Sequence, residues 1–215
     1  MVRFYSGQTL GKFRQDVHVM DLLPLADGPA PERSDAARNR EALLRAAQEL
    51  VDSCGIDGVT MDAVAARAGV GKGTVFRRFD SREGLMASLL NRSETVWQAQ
   101  VISGPPPLGP GAPPLERLLA FGHSRMELNL RHARLIEAAG RAGARSYAAE
   151  SFAAMHMRYL LNQLGVRGDV AFLAAALLSP LEAIVLVQQT EQDELPLDRV
   201  QAGWDDLVHR VIRDD

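Results

Sequence analysis

Cysteine is almost missing from this chain. Cys54 is the only one in 215 residues, so no disulfide can close within the chain and a reducing compartment is the default. An excess of positive charge is also missing. Lys+Arg number 24 against 27 Asp+Glu, a net charge of -3, and that balance taken alone argues against a nucleic-acid binder. No apolar run has the ~20 residues of a membrane span. The nearest, Ala171 to Val187, contains Ser179, Pro180 and Glu182 and has no basic flank, so it reads as a buried helical segment. No export signal is visible, because Gly7, Gln8, Thr9 and Lys12 interrupt any apolar stretch behind Arg3. Strand-like alternation and internal repeats are absent too. His18, His123, His132, His156 and His209 include no pair three or four apart, and there is no Gly-x-Ser-x-Gly elbow. These absences exclude a disulfide scaffold and point to a soluble, cytoplasmic, all-α protein. No enzyme, metal site, cofactor or membrane partner is expected.

What is present is ordinary globular composition, 47% hydrophobic and 24% charged, over a length of one or two domains. Residues 1–33 stand apart, broken by Pro24, Pro29 and Pro31. They read as an N-terminal extension, either a tail or an arm reaching a DNA backbone through Arg14 or Arg33. From Asp35 apolar residues recur at helical steps through Leu43/Leu44, Ala47, Leu50/Val51 and Cys54, with Ser34 or Asp35 as cap and Cys54 packed on the stripe. Thr60 caps a short helix, Met61 to Ala68, between the hydrophobic staple residues Val59 and Val64, and Gly69 stops it. A third helix runs from Lys72 to about Phe79, and Asp80 or Ser81 caps a fourth. Short helix, glycine turn, short helix is the helix-turn-helix pattern, with Val64, Val70, Val75 and Phe79 facing inward. Residues 34–80 are thus read as a helix-turn-helix domain and 81–103 as a connecting helix. Residues 104–114 are a linker holding Pro105, Pro106, Pro107, Pro110, Pro113 and Pro114, and 115–215 a helical body.

The charge is uneven. Arg67, Lys72, Arg77, Arg78 and Arg82 face only Asp80 between Arg67 and Arg82, a local basic patch inside an acidic protein. Arg77 and Arg78 are long enough to fork onto guanine in a major groove, and Thr74 suits a phosphate or a thymine methyl. Gly73 lets backbone approach a duplex, and the start of the third helix adds free N–H groups. Gly69-Val70-Gly71-Lys72-Gly73-Thr74 imitates a phosphate-binding loop, but Ala66, Gly73 and a helix stand where that loop needs glycine, Ser/Thr and a strand.

These motifs resemble the TetR (tetracycline-repressor) family of transcriptional regulators. The resemblance is carried by Gly58-Val59-Thr60, Ala65-Ala66-Arg67-Ala68-Gly69-Val70, Gly71 to Phe79 and Asp80-Ser81-Arg82-Glu83-Gly84-Leu85, over roughly residues 35 to 90. It implies a three-helix DNA-binding head, a linking helix and a ligand-binding and dimerisation body. DNA contacts carry over to Thr60, Lys72, Gly73, Thr74, Phe76, Arg77 and Arg78. Phe76 stands where the family usually has a tyrosine, so that phosphate hydrogen bond is absent, and Arg78 replaces a commoner histidine or tyrosine.

The reading is therefore a ligand-responsive repressor that binds a near-palindromic double-stranded operator as a homodimer and answers to a small-molecule effector. Its alternative is an all-helical small-molecule or protein-binding module with a vestigial head. In the body, Phe121, Met126, Phe152, Met155 and Tyr159 are at helical spacing and either line an effector pocket or form plain core. Glu182 interrupts an apolar run. It is either paired structurally, with Arg125 or Arg158, or a pocket carboxylate facing a cationic or hydrogen-bonding ligand. Pro180 should kink the Ala171–Gln189 helix, which with Leu197–Ile212 forms the expected dimer face. His156, between Met155 and Met157, reads as one surface histidine on a core helix.

Overall fold

The structure, a computed structural model, describes residues 31–140 and 147–213, with side chains from 35 to 140 and 152 to 213. The expected arm residues Arg14 and Arg33 lie outside the described side chains. The chain divides into two units at Arg38. The first contributes only helical residues 31–38 to the description, where Arg38 hydrogen-bonds Asp35. The second unit runs from Asn39 onward.

Among the described residues all regular structure is helical. Helix α1 (Pro31–Cys54) begins earlier than the Ser34 or Asp35 cap expected from sequence, since proline at a first helical position has no N–H to leave unsatisfied. Cys54 is exposed rather than packed. The buried stripe ends at Leu50, and the Cys54 thiol donates to the Leu50 carbonyl at 3.0 Å. In α2 (Met61–Ala68) the Thr60 hydroxyl accepts from the Ala63 N–H at 3.1 Å, and Val59 and Val64 are both fully buried beside it. Gly69 ends α2 with φ 67°, ψ 31°, and the Val70 N–H closes the turn on the Ala65 carbonyl at 3.0 Å. Val70 itself points partly to solvent, at the tip of the turn.

Helix α3 (Lys72–Phe79) buries Val75 and Phe79. Ser81, not Asp80, caps α4 (Arg82–Ser103), accepting from the Gly84 N–H at 3.1 Å, while Asp80 takes the left-handed φ that turns α3 into α4. The body adds α5 (Pro114–Arg131), α6 (Ala133–Ala139), α7 (Tyr147–Gln163), α8 (Val170–Leu178), α9 (Ala183–Val187) and α10 (Leu197–Ile212). The helix expected over Ala171–Gln189 is split as Pro180 requires. A 3₁₀ turn at Ser179–Leu181 separates α8 from α9, and a π turn at Gln188–Gln192 follows α9.

Two cores result. Leu43, Leu44 and Ala47 of α1, Val64 of α2, Val75 and Phe79 of α3, and Leu85, Met86 and Leu89 of α4 make the head core. Leu135 and Ala139 of α6 also enter it. Trp97 and Val101 of α4 join Leu118, Phe121 and Met126 of α5, Met157 and Leu160 of α7, Leu177 of α8 and Trp204 of α10 in the body core. The Pro-rich stretch 104–114 is a turn within this body, because Val101 before it and Leu118 after it share one core. Between the two described ends of α8 and α9 the axis bends by 44°, and no single described helix is long and apolar enough to cross a membrane.

Trp204 fixes α10 on this frame. Its indole N–H donates to the Leu177 carbonyl at 3.0 Å, and its ring lies flush on Gly122, where an added Cβ would meet ring carbon at 2.2 Å. Both partners are buried, so the ring has nowhere to retreat without disturbing α5, α8 and α10 together. Gly122→Ala is expected to destabilise the protein by about 1–3 kcal/mol through overpacking. The urea midpoint of the variant checks this, and an unchanged midpoint would show that the ring relocates freely.

Candidate nucleic-acid interface and ligand cleft

Burying Val75 and Phe79 turns the opposite face of α3 to solvent. Lys72, Gly73, Phe76, Arg77 and Arg78 are exposed there, and Thr74 is half-buried at the edge. Gly71 supplies no side-chain cap, so the first N–H groups of α3 stay available at the positive end of its dipole. Thr60 stands exposed at the start of α2. Its oxygen accepts the cap hydrogen bond, so its own hydroxyl hydrogen can be donated outward.

The five cations of the basic stretch do different things. Lys72 is 2.8 Å from the Asp62 carboxylate and 5.7 Å from the Phe76 ring centre, and Arg67 is 3.3 Å from Glu49. Such exposed pairs are worth about 0–1 kcal/mol, so a phosphate can displace the carboxylate cheaply. Arg82 turns inward and donates to the Val59 and Ile56 carbonyls at 2.9 and 2.7 Å, so it anchors the start of α4 to the turn before α2. Arg77 and Arg78, with Thr74, Leu43 and Asn39, surround a recess of about 270 Å³ between α1 and α3. Nothing in the sequence flags Asn39. It reaches this edge only because α1 crosses α3.

In the body, the sequence-proposed pocket residues separate. Phe121 and Met126 are completely buried in the core and Phe152 partly so, whereas Met155 and Tyr159 are 58% and 46% exposed on the outer side of α7. Glu182 and Arg125 both line a cleft of about 240 Å³ whose other walls are Ala153, Ala154, Ala175, Leu178, Ser179 and Leu181. Arg125 is only 2% exposed. One terminal nitrogen, Nη1, donates to both oxygens of Glu94 on α4 at 2.8 and 2.7 Å, and the guanidinium lies 4.8 Å over the Trp97 ring. One turn along α5, the buried Asn129 amide donates to the Leu181 carbonyl at the break between α8 and α9. The Glu94–Arg125 pair was not legible in the sequence, since its members are 31 residues apart on different helices.

His156 departs from its expected place at the surface. Its ring stacks against Phe121 at 5.3 Å and Phe152 at 5.9 Å, with Tyr159 at 5.9 Å, and Trp97 continues the cluster at 5.1 Å from Phe121. The Nε2 atom is buried without a hydrogen-bond partner, as is Nε of Arg117. Burial pushes the His156 pKa down to about 4, and the nearby Arg117 charge adds to the shift. Among the described residues no group of three His, Cys, Asp or Glu side chains comes together as a metal site.

Residues 43–89, the head and the first turns of α4, match the bacterial regulatory proteins of the tetR family. The head is that of the tetR family. An HTH-type transcriptional regulator of Staphylococcus aureus (strain USA300) is 32% identical over 65 residues, 30% of this chain and 35% of the relative. The match thus spans about a third of that relative's length. The fold continues past the head. A TetR-like transcriptional regulator from Rhodococcus sp. RHA1 superposes with a TM-score of 0.53 at 20% identity, covering 81% of this chain and 95% of that one. The multidrug binding protein EbrR, complexed with imidazole, superposes with a TM-score of 0.55 at 24% identity, covering 90% and 99%.

The buried His156 ring makes stability depend on pH. The unfolded histidine takes a proton near pH 6.5, whereas the folded one resists until about pH 4. Between those values protonation favours the unfolded chain, so the stability that neutral His156 supplies at pH 7 is lost as pH falls from about 6.5 to 4. His156→Phe keeps the ring stack and removes the proton. The variant should lose less stability than the parent between pH 7 and pH 5 in paired urea titrations, and equal losses would refute the assignment.

Proposed function

We propose that this chain is a ligand-responsive, DNA-binding transcriptional regulator, a cytoplasmic repressor that binds a near-palindromic operator as a homodimer. The observation that carries the reading is the outer face of α3. A helix held by Val75 and Phe79 presents Lys72, Gly73, Thr74, Phe76, Arg77 and Arg78 together, with Thr60 at the adjacent helix start. Two such helices on a symmetric dimer would enter successive major grooves about 34–36 Å apart. Phosphate contacts by Lys72, Thr60 and the α3 N-terminus position the head, and Arg77 and Arg78 read base edges.

The homodimer is supported by an apolar surface on the last helices. Phe172 of α8 is 69% exposed and Ile184 of α9 is 82% exposed, and Ala171, Ala175 and Ala176 lie open on α8. A water-exposed apolar face of this kind is what an isologous helical interface covers. Effector response is supported by the connections of the body. α4 passes through both cores, and α6 packs Leu135 and Ala139 against the head while its other side lines a groove with α9. A ligand that favours one packing of α4 and α6 shifts the population of head spacings, and with it operator affinity.

Fluorescence anisotropy with DNA upstream of the protein's own gene tests the reading. Affinity should fall steeply with salt and exceed that for random duplex. Arg77→Ala and Arg78→Ala should each cost about 1–3 kcal/mol at the operator if the side chain forks onto a base. Equal binding to random DNA would favour a small-molecule or protein-binding module with a vestigial head. For the dimer, Ile184→Glu should shift the sedimentation coefficient to that of a monomer and weaken operator binding. A variant that stays dimeric removes α9 from the interface.

A further inference from the structure

We infer that Arg117 and His156 form the polar end of a site for an amphipathic monocarboxylate, whose carboxylate bridges the two side chains while its apolar body covers Met155 and Tyr159. The inference rests on the reading of the body as an effector site and names the chemical class of that effector. Arg117 stands on α5, one turn before Phe121, and His156 stands on α7, which packs against α5. Among the described residues no carboxylate pairs with the Arg117 guanidinium, and its Nε is buried with no hydrogen-bond partner. Nε2 of His156 is buried without a partner as well. Buried nitrogens in folded proteins nearly always find an acceptor or donor, so two orphans on packed helices mark a place where another molecule supplies it.

Charge decides the class of that molecule. The guanidinium keeps its proton at any ordinary pH, and a half-buried cation without a counter-charge is costly. Its field reaches His156, where it adds to the effect of burial in keeping the ring neutral. A water molecule or a neutral ligand would satisfy both nitrogens and leave the charge uncompensated. A carboxylate brings one negative charge and two acceptor oxygens. One oxygen serves the guanidinium, and the other serves the imidazole in the tautomer that carries its proton on Nε2. A phosphate monoester, at about -2, would leave a surplus negative charge among aromatic rings.

The surroundings set the rest of the molecule. Phe121, Phe152 and Tyr159 stand 5.3, 5.9 and 5.9 Å from the His156 ring, and Tyr159 is the most exposed of the three. Rotation of Tyr159 therefore opens a path to Nε2 without unpacking Phe121. A chain or ring attached to the bound carboxylate lies along Met155 and Tyr159, whose exposed apolar surface it removes from water. The same cluster leads to the head. Trp97 of α4 is 5.1 Å from Phe121 and 6.1 Å from Phe152, so a ligand that reseats His156 acts through these rings on the helix shared by both cores.

The test uses the purified full chain with hexanoate, octanoate, benzoate and phenylacetate. Hexanamide and phenylacetamide, alike in shape but uncharged, and hexylamine serve as controls. Binding is read by calorimetry and by thermal shift, and operator release by anisotropy. One or more carboxylates should bind and release the operator, with every control weaker by roughly tenfold or more. Arg117→Met keeps the apolar stem and removes the charge. It should weaken that carboxylate roughly tenfold or more while raising the thermal midpoint of the ligand-free protein, because an uncompensated cation is gone. His156→Phe keeps the ring and removes the donor, and should weaken the carboxylate by roughly tenfold or more as well. A lower midpoint and unchanged binding in Arg117→Met would mark a structural arginine and overturn the inference. An amide that binds as tightly as any carboxylate overturns it too, as does a His156→Phe variant that binds undiminished. If no carboxylate binds while a small-molecule extract of cells still releases the operator, the inference fails and the effector reading stands. If neither carboxylate nor extract releases it, the effector reading fails with it.

Discussion

The structure depends on one helix belonging to two cores. α4 has 22 residues, about 33 Å of uninterrupted helix, and its two halves are buried in different places. Leu85, Met86 and Leu89 sit in the head core, and Trp97 and Val101 sit in the body core. A helix of this length does not bend locally without breaking backbone hydrogen bonds, so a displacement at Trp97 is carried to Leu89. The head is therefore not an appendage on a tether. Arg82 pins the start of α4 to the turn before α2, and Arg92 pairs with Glu41 of α1 at 2.7 Å, so the head's own helices travel with α4.

Between the two apolar halves of α4 lies a strongly buried charge contact with the body, Glu94 to Arg125. Such a pair is weak evidence for stability, because desolvation offsets most of the Coulomb gain, but breaking it on one side only is costly. That asymmetry suits a junction. While both partners are present, α4 and α5 hold one register. The Trp97 ring under the guanidinium and the stacked Phe121, Phe152 and His156 make the surroundings dry, which strengthens the pair and also raises the penalty for any half-made alternative.

The head was legible from sequence because its signals are local. Thr60, Gly69 and Ser81 act through backbone groups within three or four residues, and Val59, Val64, Val75 and Phe79 follow from helical spacing. The break at Pro180 was legible for the same reason. The body was less so. Met155 and Tyr159 fit a helical stripe as well as Phe152 does, yet the stripe faces outward at those two positions, because spacing fixes which residues share a face and not which face is covered. His156 stands between two methionines in the sequence, and although Phe152 and Tyr159 flank it on its own helix, it takes the approach of α5 to bring Phe121 against its ring. The partner of Arg125 and the resting place of Trp204 on Gly122 are likewise long-range facts.

The same distinction bears on the charge. A net balance of -3 is a sum over the whole chain, whereas affinity for a polyanion depends on the charges within about a Debye length of it, about 8 Å at physiological salt. The structure makes the basic surface smaller still than the sequence suggests. Arg82 is turned to backbone carbonyls, and Lys72 and Arg67 rest beside Asp62 and Glu49. A head of this kind has little attraction for duplex in general. On the function proposed above, its grip comes from contacts that displace those carboxylates and from Arg77 and Arg78 meeting base edges, both of which need α3 seated in a groove. On the same reading, the affinity of a weakly basic head is set by how accurately it is presented, and α4, buried in both cores, is the element that would govern presentation.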